Sequence, residues 1–196
     1  MTDNRGIFAG LILITLVLGG LPVLVTGEGR ADTSVSTNVA RTIPGSVELF
    51  IDLDPTSIAY QGLGGHFTLT IDDMTMTANP GEPAVPMDMI EVLIDPYGSH
   101  IRMEVLEESS IIIPAPGPIA GVPENIPISI PGEVEIRPYN VDIADTISFV
   151  RTGFIRGYQI ASLKYTPVIP TGDGNIKVTT HIRFAVHFEI PSDQDL

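Results

Sequence analysis

Apolar and polar residues alternate with a period of two along several short stretches of this chain, the pattern of strands that bury one face. Val47, Leu49, Ile51 and Leu53 interleave with Ser46, Glu48, Phe50 and Asp52, and Asp54-Pro55 ends the run. Phe67, Leu69 and Ile71 alternate with threonines and His66, while Ile101, Met103 and Val105 alternate with Arg102 and Glu104. Between them, Met89 to Ile94 forms a shorter strand that stops at Asp95-Pro96-Tyr97-Gly98, a turn signal that predicts a hairpin with the strand opening at His100. The cleanest alternation is the last: Ile182, Phe184, Val186, Phe188 and Ile190 against His181, Arg183, Ala185, His187 and Glu189. Its expected partner is Tyr158 to Val168, joined through Thr171-Gly172-Asp173-Gly174-Asn175, where the glycines permit positive φ.

No window beyond the N-terminus combines helical period with caps at both ends. Many short strands, with 17 prolines and 19 glycines as punctuation, predict an all-β fold, an antiparallel β-sandwich over residues 43–190. Residues 32–42, rich in Ser, Thr and Asn, read as a flexible lead-in, and 191–196 as a polar tail. One segment stands apart. From Pro114 to Pro131 proline recurs every two to five residues, which withholds backbone donors and favours extended, polyproline-like chain. It reads equally as an ordered crossover between sheets and as a strap that docks a partner.

Ahead of the strands, Ile7 to Val25 runs without a charge, behind Arg5 and before Glu28 and Arg30. This predicts a hydrophobic N-terminal helix over the region 1–31 that serves as a signal peptide or a membrane anchor, so the expected location is secreted or cell surface. Gly19-Gly20 and Pro22 in its second half favour cleavage. The formal net charge is −14, with Lys164 and Lys177 the only lysines. Nucleic acid is therefore excluded as a natural partner, since phosphate binding needs clustered cations. Cysteine is absent, which rules out a thiol nucleophile or thiolate metal site within the chain.

The remaining chemistry is thin. His181 and His187 share a strand face but stand roughly 20 Å apart along it, too far to ligate one metal, and His66 with His100 lacks a third ligand. Asp72-Asp73 and Asp52-Leu53-Asp54 sit at strand ends without the spacing of a calcium loop, and Asp173-Gly174-Asn175 reads as a turn. Ser57, Ser109 and Ser110 lack a nucleophile elbow. Gly62-Leu63-Gly64-Gly65 precedes a strand instead of a helix, so it reads as a hinge or bulge and not a phosphate loop. A carboxylate-based hydrolase would need two acids brought together in space, and no pair is nominated. No catalytic residue, cofactor or metal is expected, and function must come from what the domain binds.

Three punctuation marks point to that partner: Gly81-Glu82-Pro83-Ala84-Val85-Pro86 leading into an apolar strand, Pro114-Ala115-Pro116 after a strand pair, and Gly153-Phe154-Ile155-Arg156-Gly157-Tyr158 before a proline-containing strand at Leu163 to Pro170. With the final turn and strand, Gly172 to Phe188, their order resembles the propeptide domain of gingipain-type cysteine peptidases, over roughly Gly81 to Phe188. The resemblance implies a non-catalytic β-sandwich that assists folding of a caspase-like peptidase domain, in cis or in trans, and holds it latent. Partner contact is then expected from Pro114, Ala115 and Pro116 and from Arg151, Arg156 and Tyr158, with an exposed arginine entering a specificity pocket. Arg156 packing along Tyr158 is the structural alternative. An exported surface or adhesion module is the rival function.

Overall fold

The computed structural model describes residues 35–77, 79–123 and 137–190; the expected signal or anchor, the second half of the proline-rich segment and the polar tail lie outside them. Eleven strands occupy the described chain: β1 (Val35–Ile43), β2 (Ser46–Leu53), β3 (Ala59–Leu63), β4 (His66–Thr70), β5 (Thr75–Met76), β6 (Pro86–Ile94), β7 (Ser99–Pro114), β8 (Ile147–Ile155), β9 (Tyr158–Tyr165), β10 (Val168–Pro170) and β11 (Asn175–Glu189). All ladders between them are antiparallel. The first sheet has the order β1-β2-β11-β10, with β7 along the other side of β11; the second has the order β5-β6-β9-β8.

The inward rows of these two sheets meet in one core. Val47, Leu49 and Ile51 of β2 and Ile182, Phe184, Val186 and Phe188 of β11 pack against Ile90, Val92 and Ile94 of β6 and Ala161, Leu163 and Tyr165 of β9. Of the period-two rows read from the sequence, those of β2 and of β11 from Ile182 to Phe188 are buried, whereas Val105 and Ile190 at the ends of theirs are exposed. A second cluster, Leu53, Ile58, Leu69, Ile71, Val85, Ile119, Val168, Ile176 and Val178, lies under the β3–β4 hairpin.

Two strand pairings differ from expectation. β6 and β7 do not form a hairpin: β6 pairs with β9 and β7 with β11. Both present apolar rows to the same core, so they must lie in opposite layers. The Asp95–Gly98 turn, closed by Gly98 N–H donating to the Asp95 carbonyl (2.9 Å), carries the chain across. Likewise β11 pairs through the Gly172–Gly174 loop with β10 alone, while β9 belongs to the other sheet. The chain changes layers at Thr166-Pro167, where Thr166 N–H bonds to Thr146 and the Pro167 carbonyl accepts from Thr179 N–H.

Residues 35–42 are not a lead-in but most of β1, hydrogen-bonded along β2. Val35 and Val39 pack against the core from an edge strand whose other residues are mostly polar. Such edges need few apolar residues, which is why composition alone suggested a linker. Gly64 and Gly65, at φ 57° and 83°, form the two-residue turn of the β3–β4 hairpin.

The Gly81–Pro86 motif is a structural hub. Gly81 N–H bonds to Val122, and its carbonyl accepts from Asn140 and Val141; Ala84 N–H bonds to Ala120. The Glu82 carboxylate is 3.1 Å from Lys164 Nζ, both largely buried. Here the motif holds the two described ends of the crossover, 115–123 and 137–141, against the body.

Candidate docking surface

Each sheet ends on one side of the molecule in a strand with only one partner: β7 in the first, β8 in the second. Two contacts show that these edges lie on the same side. Thr146, just before β8, donates from its hydroxyl to Glu108 of β7 (3.0 Å). At the other end, the Gln159 side-chain amide, opposite Phe154, lies 3.0 and 3.1 Å from the carbonyl oxygens of Gly98 and Asp95, beside the start of β7.

Exposed apolar side chains concentrate there. Among the described residues 16 large hydrophobics are exposed, and of these four lie on β7 (Val105, Leu106, Ile111, Ile112) and five on the β8–β9 arm (Phe149, Val150, Phe154, Ile155, Tyr158). Phe154 is 67% and Tyr158 58% exposed. Clustering of this kind marks an interaction surface, whereas scattered exposed residues would need no account. The register explains it. A bulge between Phe149 and Arg151 in β8, and another in β7 opposite Arg183 and Phe184, break the alternation and turn Val150 and Leu106 outward.

Ile155 pairs with Tyr158, so Arg156 and Gly157 alone make the β8–β9 turn. Both have positive φ, 51° and 85°, as a type I′ turn requires. A Cβ on Gly157 would meet nothing within 4 Å. The glycine is there for its backbone angle, and the segment from Arg151 to Ile155 is strand.

Charge separates this arm from the rest of the molecule. No Asp or Glu occurs between Asp145 and Asp173, in a chain of net charge −14. Lys177 Nζ lies 2.6 Å from Glu108, Arg183 2.6 Å from Glu48 and Lys164 3.1 Å from Glu82. Arg151 and Arg156 are exposed and make no ion pair among the described residues. No cation–aromatic contact involving either occurs among the described residues.

Where the two edges converge, a polar cluster fills the gap. Glu108 accepts from Thr146 and Thr179, each 3.0 Å away, and the two threonine hydroxyls are 3.0 Å apart. Burial pushes the Glu108 carboxyl up, but the bonds from Lys177, Thr146 and Thr179 outweigh it and hold it below the usual range. The nearby Tyr165 phenol is pushed well up, mainly by desolvation, with Asp52 and Glu108 adding to it.

The sequence-derived contact residues fall into two groups. Arg151, Arg156 and Tyr158 share the basic, apolar arm. Pro114, Ala115 and Pro116 lie at the far end of β7, a strand of 16 residues and on the order of 50 Å if straight. Pro114 pairs with Asn175, and Ala115 N–H bonds to Gly174. Gly117 lies against the Phe67 ring, and Ile119 is buried in the second cluster. The described half of the proline-rich segment is therefore an ordered crossover, and excising it would remove a core residue. The apolar edge residues escaped the sequence reading, although Ile111-Ile112-Ile113, Phe149-Val150 and Phe154-Ile155 are adjacent apolar residues that strict alternation cannot bury together. Among the described residues no group of three His, Asp or Glu is placed to hold a metal. What this surface can do is bind another surface.

No protein-family model matches the chain, and no curated protein does. Solved structures do. One is a chain of the complex of the pro- and mature domains of RgpB from Porphyromonas gingivalis, with TM-score 0.65 and 12% identity, over 78% of this chain and 85% of that one. Another comes from a study of zymogenic latency of gingipain K from the same organism, with TM-score 0.65 and 16% identity, over 83% of this chain and 96% of that one. At these identities the likeness is one of fold, and the fold is that of a gingipain propeptide-like domain.

Proposed function

We propose that this chain is a non-catalytic propeptide-like domain, exported from the cell, that assists folding of a gingipain-type cysteine peptidase domain and keeps it latent. The observation that carries the reading is the one-sided apolar surface formed by the β7 and β8 edges, with two unpaired arginines on an acidic molecule. A surface of this composition, on a fold shared with structures of gingipain pro- and mature domains and of zymogenic latency, suits a partner held by large-area burial.

The β8–β9 arm is the element that reaches the catalytic cleft in this reading. Residues 154–158 at its tip are exposed, and Arg156 in its turn makes no ion pair among the described residues. The Pro114–Pro116 element contributes by holding the crossover in place. Co-production of the full chain with gingipain-type catalytic domains, read out by complex isolation and peptidase activity, tests the proposal. A stable complex with suppressed activity is expected; absence of binding to every such domain would return the chain to the class of exported surface modules.

A further inference from the structure

The backbone of β8 offers more than its side chains. In a hairpin closed by a two-residue turn, the pair flanking the turn exchanges both main-chain hydrogen bonds, and bonded pairs then alternate with unbonded ones. The β8–β9 register runs without a shift from Ile155↔Tyr158 to Arg151↔Ser162. Ile155, Gly153 and Arg151 therefore bond to β9, while the N–H and C=O groups of Thr152 and Phe154 point away from it. No backbone hydrogen bond links Thr152 or Phe154 to another described segment. Among the described residues the edge is unpaired where the arm is most apolar.

We propose that β8 is a strand-addition site: an extended segment of the peptidase domain, carrying acidic beside apolar side chains, pairs with β8 and continues the second sheet. This rests on the reading given above and specifies how the partner is held. Main-chain bonds to Thr152 and Phe154 supply the hold and fix the register, as in other sheet-edge complexes. Side chains supply the selection. Phe154, Ile155 and Val150 offer apolar contact, and Arg151 and Arg156 favour carboxylates. Charge disfavours the occupant being another β8 edge, which would bring two acid-free, arginine-bearing strands together.

Residue-resolved amide exchange on the full chain, alone and with a gingipain-type catalytic domain, is the test. The Thr152 and Phe154 amides are expected to exchange freely in the isolated protein and to slow by at least about tenfold in the complex, the scale of one main-chain hydrogen bond. Arg151 and Gly153, bonded to β9, are expected to be protected in both. T152P, which removes an outward N–H that the β8–β9 ladder does not use, is expected to weaken the complex by roughly tenfold or more while leaving the melting temperature of the free protein within a few degrees. The double variant R151E/R156E, which leaves the backbone intact, is expected to slow association and flatten its salt dependence.

A complex that forms without new protection at Thr152 and Phe154 overturns strand addition and leaves the propeptide reading standing. Failure of the wild-type chain to bind any such domain overturns both. Protection already present in the free protein, whether constant or rising with concentration, would mean that this chain or a second copy covers the edge, and would equally overturn the proposal.

Discussion

At the scale of single residues, Arg156 is a position where local preference and structure disagree. Its φ of 51° belongs to the left-handed region, which costs a side-chain-bearing residue about 1–2 kcal/mol and which Asn tolerates best in a type I′ turn. Arg156→Asn is accordingly expected to stabilise the free protein by about 1 kcal/mol, a rise in melting temperature of roughly 3 °C for a domain of this size. The same change is expected to weaken partner binding, because it deletes one of two unpaired cations on the arm. Thermal melts and complex isolation on one variant separate the two effects. A loss of stability would show that the arginine is held by contacts within the domain.

Glu108 illustrates the opposite case, a charged residue whose environment is complete. Its carboxyl is held below the ordinary 4.5 by Lys177, Thr146 and Thr179, despite burial. A carboxylate with a depressed folded value stabilises fully above the unfolded value, and that contribution disappears as pH falls through the folded one. Glu108→Gln is expected to lower the urea midpoint at pH 7, and the difference from wild type is expected to shrink toward zero at pH 3. An equal difference at both pH values would assign the effect to packing instead of charge.

At the scale of elements, the inward rows were legible and the pairing was not. The rows of β2, β4 and β11 follow from alternation because each strand buries one face, and a one-residue slip would expose the whole row; of the β7 row only Ile101 and Met103 are half-buried. Which rows share a sheet depends on where the chain crosses between layers. Asp95–Gly98 and Thr166-Pro167 have the local chemistry of any turn, so β6–β7 resembled a hairpin and β9 resembled the neighbour of β11. β1 was hidden by its polar composition, and the apolar edge was marked only by adjacent apolar residues such as Phe149-Val150, since the bulges that turn them outward depend on the partner strand. The motif residues proved legible as fold determinants: Gly81 at φ 82° anchors the crossover. The crossover's fit is testable at Gly117, where a Cβ would come within 2.6 Å of the Phe67 ring. Gly117→Ala must displace Phe67 from the second cluster and is expected to cost about 1–3 kcal/mol, the usual penalty of overpacking. Urea denaturation measures it, and an unchanged midpoint would mean that the 114–123 segment can lift away freely.

For the whole molecule, the question is whether the arm and the crossover belong to one cooperative body. The two core clusters are built from the same strands: β2 contributes Val47, Leu49 and Ile51 to the first and Leu53 to the second, and β11 contributes Phe184 to the first and Ile176 and Val178 to the second. Val35 and Met74 pack against both. Loss of either cluster therefore removes the support of a strand the other needs, which predicts a single unfolding transition. Leu69→Ala in the second cluster and Phe184→Ala in the first are expected to cost about 2–5 kcal/mol each and to shift that transition as a unit. The chain has no Trp and five Tyr, of which Tyr165 sits in the first cluster and Tyr139 against the second, so tyrosine fluorescence and far-UV circular dichroism sample both regions. Coincident midpoints by the two probes in both variants are the expected result. Two separated transitions in Leu69→Ala would instead divide the molecule, leaving the two-sheet body with its docking edge stable on its own and the crossover a dispensable layer upon it.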